Sequence, residues 1–338
     1  MNRAKILIVK LSALGDVVQT LPSLTLLSKF LPLAEIDWVV DERNAEILKG
    51  HPFLRRILVF SSEYLKSFKN LKNFLKELRK EDYEVVIDYQ GLLKSGLIVW
   101  LSKGKYKIGF SNHREGSSWF YNFKLPPYDI NLHAVKRYLI LTKEVLKLFN
   151  FGNLEEIGEI PEAVFPEVSF PEFLNPNQFY ISLIPKARWE TKNWGLKNWG
   201  QLIHLLMREK QINLFILGSP KDLELKRWAE NLENSYPGLK SLVGQIGLSQ
   251  IIAVLKFSKL VVTVDTGPMH IASALKVPTV ALFGPTSPER TGPWGKNCLV
   301  IKSSVSCSPC FKKNCSTKEC MERISPYQVR EAIEKLLF

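Results

Sequence analysis

The sequence predicts an α/β protein built of two doubly wound Rossmann-like domains. Short β-rich apolar runs alternate with amphipathic helical patterns, a proline-spaced break falls near the middle, and 338 residues suit two domains of about 150 residues each. Strands alternating with helices imply a parallel sheet covered on both faces.

The first half opens with Ile6-Leu7-Ile8-Val9, a Gly-containing turn from Leu11 to Asp16, and a helical pattern from Val17 to Phe30. Further β-rich runs lie at Ile36–Val40, Ile57–Phe60 and Val85–Tyr89. Within 63–80, Leu65, Phe68, Leu71, Leu75 and Leu78 share one helical face. Pro161, Pro166, Pro171 and Pro176 recur without helical period and mark a linker between domains. The alternation then resumes: Tyr180–Ile184, helix 196–209, Leu214–Leu217, helices 221–234 and 248–256, Leu260–Val264, helix 267–275 and Thr279–Phe283. The expected division is 1–165, a linker 166–178, 179–325, and a C-terminal helix 326–338 packing back on the first domain. Two such domains would face a central cleft at the carboxyl ends of their sheets, where ligands of this architecture bind.

Lys and Arg number 46 against 33 Asp and Glu, a formal net charge of +13, which points to an anionic partner without identifying it. Residues 94–147 hold ten Lys or Arg and three acids, a local +7, interleaved with Trp100, Phe110, Trp119, Phe120 and Tyr121. Nucleic acid, an anionic lipid head group, an anionic sugar and a plain solvated face all fit this stretch. No nucleic-acid module accompanies it. No apolar run approaches the roughly 18–20 residues that span a bilayer. Ile6–Val9 is too short for a signal-peptide core. The expectation is a cytoplasmic protein, with peripheral membrane contact left open.

Three segments suit a nucleotide diphosphate. The apolar run Leu260–Val264 ends in Asp265-Thr266-Gly267-Pro268-Met269-His270. Gly267 permits a tight turn, and Pro268 suits a first helical position. The helix beyond them offers amide groups to phosphate, although a plain capped turn reads the same way. In Ala187–Trp194, Lys192 can meet a diphosphate, with Arg188 beside it, while Trp194 and Trp199 read as helix anchors. After the strand at 214–217, Glu224 can accept from ribose hydroxyls, and Asp222 reads as a helix cap. Neither a Gly-x-x-x-x-Gly-Lys-[ST] loop nor a Gly-x-Gly-x-x-Gly after the first strand occurs, which argues against a P-loop NTPase and a dinucleotide dehydrogenase.

The run Lys10 to Pro22 resembles the opening signature of the ADP-heptose:lipopolysaccharide heptosyltransferases, glycosyltransferase family 9. Asp265–His270 with Phe283-Gly284-Pro285-Thr286 resembles their donor-site signature, and Arg188–Trp194 their phosphate-side lysine loop. Asp88–Ser95 and His133–Arg137 look like heptosyltransferase I. The resemblance implies a GT-B fold, with acceptor in the N-terminal domain and donor in the C-terminal one. It also implies inverting transfer of heptose from ADP-L-glycero-D-manno-heptose to Kdo of Kdo-lipid A, in lipopolysaccharide inner-core synthesis at the cytoplasmic face of the inner membrane. No metal or other cofactor is then required, in keeping with the lack of a clear Asp-x-Asp motif.

On that reading Asp16 is the general base. Lys192, Arg188, Glu224, Asp265, Thr266, Gly267, Met269 and His270 hold the donor. Lys94, Arg114, His133 and Arg137 hold the anionic acceptor. Asp16 also reads as a helix cap, and one rigid carboxylate cannot easily serve both roles. Two alternatives stand: a heptosyltransferase II-like member with another acceptor, and, from a different class, a basic nucleic-acid-binding or scaffold protein.

All five cysteines fall between 298 and 320, four of them as Cys307-x2-Cys310-x4-Cys315-x4-Cys320. That density suggests a structural tetrathiolate zinc or iron–sulfur site, although the spacing is not a standard finger. Catalysis should not need it.

Overall fold

The computed structural model describes residues 3–151, 161–208 and 212–337. The chain divides into two compact units, residues 1–167 and 168–338. The first contains β1 (Lys5–Val9), α1 (Leu14–Phe30), β2 (Glu35–Asp41), β3 (Arg56–Phe60), α2 (Phe68–Leu78), β4 (Tyr83–Asp88), α3 (Leu93–Leu101), β5 (Gly104–Phe110), β6 (Phe123–Leu125) and α4 (Ala134–Leu148). Its parallel sheet runs β3-β2-β1-β4-β5-β6. Ile6 to Val9 in the central strand are wholly buried, as a strand covered on both faces must be. The side chain of Leu65, expected on the face of one helix over 63–80, lies outside the described residues. A 3-10 turn, Ser62–Lys66, precedes α2 there.

The second unit contains β7 (Phe179–Ile184), α5 (Leu196–Met207), β8 (Ile212–Ile216), α6 (Leu223–Ser235), β9 (Leu239–Ser241), α7 (Leu248–Phe257) and β10 (Leu260–Val264). It continues with α8 (Gly267–Ala274), β11 (Thr279–Phe283), α9 (Pro288–Thr291), β12 (Cys298–Lys302), α10 (Glu319–Glu322) and α11 (Pro326–Leu337). Its parallel sheet runs β12-β11-β10-β7-β8-β9. Counted within each unit, both sheets have the strand order 3-2-1-4-5-6. The order reverses between β1 and β4, where Val9 pairs with Asp88, and between β7 and β10, where Ile184 pairs with Thr263. Ligands of such sheets bind outside the strand ends at the reversal.

Residues 161–178 form no strand or helix. Val164 O meets His51 Nε2 at 3.0 Å in the first unit, and Phe170 sits edge-on to Phe257 at 4.6 Å in the second. Val329, Ala332 and Ile333 of α11 belong to the second unit's core, and α11 packs along α5, so the helix completes that core. Its apolar face matches the surface around Trp199, and Trp194 Nε1 donates to Ile324 O at 2.8 Å just before it.

Asp37 is a buried acid in β2. It accepts from Arg55 at 2.7 Å, Arg56 at 2.7 Å and Tyr83 at 2.7 Å, tying β2, β3 and β4 together. Burial alone pushes its pKa up, but the bonds from Arg55, Arg56 and Tyr83 outweigh this and hold it below the ordinary carboxylate value. A depressed folded value stabilises the fold above the unfolded pKa of about 3.9, and that contribution is lost as pH falls through the folded value. The arginines are partly exposed and regain water when the acid is removed. Asp37→Ala should therefore destabilise the first unit by about 2–3 kcal/mol at neutral pH. The deficit should narrow as pH falls below about 4. Urea unfolding at several pH values measures both, and a neutral-pH loss under about 0.5 kcal/mol would contradict the assignment.

Candidate active site

The first unit gathers ionisable groups at its reversal point. Lys10 follows the apolar β1 directly and is 2% exposed. Its Nζ donates to Tyr89 O at 3.0 Å and Tyr138 Oη at 2.8 Å, and stands 3.9 Å from Asp16 Oδ1. Burial lowers the Lys10 pKa, while Asp16 and Asp88 act to raise it. Gln90 Oε1 accepts from the amides of Leu11 and Ser12 at 3.1 and 3.0 Å, which fixes the turn between β1 and α1.

Asp16 is the third residue of α1, and its side chain is 37% exposed. Oδ2 accepts from Ala13 N–H at 2.9 Å, so the carboxylate does cap the helix. Oδ1 accepts from Tyr138 Oη at 3.2 Å. The two oxygens divide the work that one rigid carboxylate was expected to find incompatible.

Asp88 ends β4 and is fully buried. Oδ1 accepts from the amides of Gln90 and Gly91 at 2.8 and 2.9 Å; Oδ2 accepts from Ser95 Oγ at 2.9 Å and Tyr121 Oη at 2.7 Å. Tyr121 gives its one proton to Asp88, so His113 Nδ1–H donates to Tyr121 Oη, at 2.9 Å. Burial first, then Lys10, Arg137 and Arg114, lowers the His113 pKa to about 3 and keeps the ring neutral. Asp88 and His113 therefore build the wall of the site.

The four expected acceptor residues sit in three places. His133 is the N-cap of α4 and accepts from Val135 N–H at 3.3 Å. One turn on, the Arg137 guanidinium lies 4.9 Å from the Tyr128 ring centre, and its Nε is buried without a hydrogen-bond partner among the described residues. Arg114 is exposed, and both it and Arg137 act on the charges of Lys10 and His113. Lys94 stands apart from these, over the Phe60 ring at 4.3 Å and under the influence of Asp41.

In the second unit the groups again meet at the reversal point. Lys192 Nζ donates to Asp265 Oδ2 at 2.6 Å, and Thr286 Oγ1 donates to the same oxygen at 2.6 Å. Lys192 also lies 4.8 Å from the Trp189 ring centre, and Lys313 lies 5.3 Å from the same ring. Thr266 is the N-cap of α8 and makes no side-chain cap bond; Gly267 and Pro268 are its first two residues, so α8 starts before Met269. Met269 and His270 are buried on that first turn. Arg188 is exposed. Glu224, on the first turn of α6, is exposed and receives Lys186 Nζ at 3.0 Å. Asp222 occupies the N-cap of α6 without a side-chain cap bond. Trp194 and Trp199 are buried and pack edge-to-face at 5.2 Å, as helix anchors.

Among the described residues no group of three or more His, Cys, Asp and Glu side chains is placed to hold a metal. Cys320 is buried and Cys307 and Cys315 are exposed; burial first, then the charges of Cys307, Cys310 and Cys315, raises the Cys320 pKa. The segment braces the loops that carry Lys192 and Thr286. Ser308 Oγ donates to Gly284 O at 2.6 Å, Phe311 N–H to Pro285 O at 2.7 Å, and Thr191 Oγ1 to Lys312 O at 2.9 Å.

Residues 71–321 match the sequence profile of glycosyltransferase family 9 (heptosyltransferase). The chain belongs to that family. It is 32% identical to lipopolysaccharide heptosyltransferase 1 of Pseudomonas aeruginosa, covering 98% of each chain. It is 32% identical to lipopolysaccharide heptosyltransferase 1 of Escherichia coli K12, over 88% of this chain and 93% of that one. Among solved structures, E. coli heptosyltransferase WaaC with ADP superposes at a TM-score of 0.79 with 26% identity, covering 98% of this chain and 99% of that one. The fold is therefore GT-B, and this family 9 protein is a glycosyltransferase.

Sequence reasoning passed over two groups of this glycosyltransferase's first unit. Tyr138 joins Lys10 to Asp16 from a helix not singled out, and Lys10 entered only as the start of a signature. A lysine directly after the apolar run Ile6–Val9 was the available signal. Tyr138→Phe removes a bond to each of two charged groups. It should lower the turnover rate about tenfold or more while shifting the melting temperature by only a few degrees. Unchanged turnover would remove Tyr138 from the positioning of Asp16.

Proposed function

We propose that the protein is an inverting heptosyltransferase of the heptosyltransferase I type. It moves heptose from ADP-L-glycero-D-manno-heptose to Kdo of Kdo-lipid A, at the cytoplasmic face of the inner membrane. The observation that carries this reading is the divided carboxylate of Asp16. One oxygen caps α1, and the other stands beside Lys10 and Tyr138, where it can take a proton.

In the reaction, the acceptor hydroxyl oxygen forms a bond to the anomeric carbon as Asp16 Oδ1 takes its proton. The bond from that carbon to the β-phosphate oxygen breaks on the opposite face, which inverts the configuration. ADP leaves with the bonding electrons. Lys192, the amide groups at the start of α8 and His270 receive the charge on the diphosphate. Lys192 is paired with Asp265, and the diphosphate competes for that ammonium. Thr266, Gly267 and Met269 bring backbone to the phosphates, Arg188 adds charge beside them, and Glu224 accepts from the ribose. On the acceptor side, the unpartnered Nε of Arg137 suits a bidentate contact with a Kdo carboxylate. His133, Arg114 and Lys94 supply the remaining donors for carboxylate and phosphate.

The deciding assay follows ADP release from ADP-heptose with and without Kdo-lipid A. Release should depend on the acceptor. Asp16→Asn keeps an oxygen for Ala13 N–H, so α1 should persist, while turnover should fall about 10²–10⁴-fold. Near-normal turnover would sink the base assignment.

Arg137→Ala should raise the KM for Kdo-lipid A about tenfold or more and leave the KM for ADP-heptose within about twofold, because a charge-assisted contact is lost on one substrate only. Equal effects on both substrates would count against the acceptor role.

A further inference from the structure

Three apolar side chains form a stripe on α3. Leu93, Leu97 and Trp100 are spaced i, i+4 and i+7, and they are 45%, 39% and 58% exposed. The opposite face of the helix, Ser95, Ile98 and Val99, is buried against the sheet. A 3-10 turn, Ser117–Phe120, lies alongside: a Cβ on Gly96 would meet Phe120 Cδ2 at 2.7 Å and Ser117 Cα at 3.0 Å. The Trp100 and Phe120 rings are 6.3 Å apart. Trp119 projects from this turn with 81% of its surface exposed. Two tryptophans and two leucines therefore share one surface that the fold does not use. Contiguous exposed apolar surface of this kind marks an interaction site.

The surroundings of the patch are cationic. Residues 93–124 carry six Lys or Arg and one acid, Glu115, whose carboxylate accepts from Leu93 N–H at 3.2 Å. Lys107 Nζ donates to Trp100 O at 2.8 Å, so an ammonium sits on the main chain of one tryptophan. Lys105 and Lys124 are exposed on β5 and β6, and Lys103, just before β5, is exposed and paired with Asp82 at 3.6 Å. Indole rings beside lysines suit the headgroup layer of a bilayer, where the ring body is shed from water and its N–H and the cations meet phosphates.

We propose that the α3 face of the first unit docks onto an anionic lipid bilayer, with Leu97, Trp100 and Trp119 in the headgroup layer and the lysines on lipid phosphates. This deepens the proposed function by giving a surface for a lipid-borne acceptor. It is tested without donor or acceptor, so the two readings fail separately.

The full chain is sedimented with vesicles of phosphatidylglycerol and phosphatidylethanolamine, and with phosphatidylcholine vesicles, at low and high salt. Binding should require phosphatidylglycerol and weaken with salt. The double substitution Trp100→Ser, Trp119→Ser should lower partitioning about tenfold or more. Trp119→Ser alone, at the more exposed position, gives a smaller loss and serves if the double variant fails to fold. Three results would overturn the proposal: no binding to phosphatidylglycerol vesicles, equal binding by a folded variant, or a wild-type dimer in light scattering that the variant converts to monomer. The last would assign the face to a second copy of the chain. Binding of a single-stranded DNA oligonucleotide that abolishes vesicle binding and is itself lost in the double variant would assign it to nucleic acid, and would equally overturn it.

Discussion

The ammonium of Lys10 is buried just past the apolar run Ile6–Val9, and a buried cation is tolerated only where oxygen atoms surround it. Tyr89 O comes from the end of β4, Tyr138 Oη from α4, and Asp16 from the first turn of α1. One charge thus draws three elements to a point. Their convergence is a consequence of the strand order, which places β1 beside β4 and sends the following loops to the same edge. The carboxylate of Asp16 is held there by Ala13 N–H and Tyr138 rather than by the side chain's own preferences.

The second unit repeats the arrangement with the roles exchanged. Its lysine–aspartate pair, Lys192 and Asp265, is direct at 2.6 Å, where Lys10 and Asp16 stand 3.9 Å apart. In the first unit the lysine is the more deeply buried partner and the acid the more exposed; in the second, Asp265 is the more buried, and Thr286 fixes it from the loop after β11. A buried acid that positions an accessible cation suits phosphate, whereas a buried cation that positions an accessible acid suits proton transfer. The same sheet order, used twice, keeps a cation inside in the first unit and an acid inside in the second.

Much of the core was legible in the sequence because buried parallel strands are nearly continuous apolar runs. Leu260–Val264 and Thr279–Phe283 coincide with β10 and β11, and β1, β2, β3, β4, β7 and β8 were located to within about two residues. β5, β6, β9 and β12 were not singled out. β5 reads Gly-Lys-Tyr-Lys-Ile-Gly-Phe and the others stand at or beside a sheet edge, where one side meets water and polar residues interrupt the run. The candidate site was partly legible for a different reason: Asp16, Lys192 and Asp265 follow strands at the reversal points, which sequence order reveals. Tyr138 comes from a helix more than a hundred residues after Lys10 in the chain, and only the packing of α1 on α4 brings it to the site. The helix-cap role of Asp16 was legible too, but the splitting of duties between its two oxygens is a matter of geometry.

The cysteine segment packs against the loops that carry Lys192 and Thr286. Gly284 follows β11, and a Cβ there would meet Cys320 Sγ at 2.9 Å and Met321 Sδ at 2.5 Å, so glycine is needed for close approach. Cys320 is buried as a small apolar side chain. Around it, residues 308–318 bond to Gly284, Pro285, Glu190 and Thr191, the loops that present Thr286 and Lys192. The run Phe283-Gly284-Pro285-Thr286 therefore mixes two kinds of constraint. Thr286 acts on Asp265 through its hydroxyl, and Gly284 acts by having no side chain, which lets the loop beneath hold the hydroxyl in place.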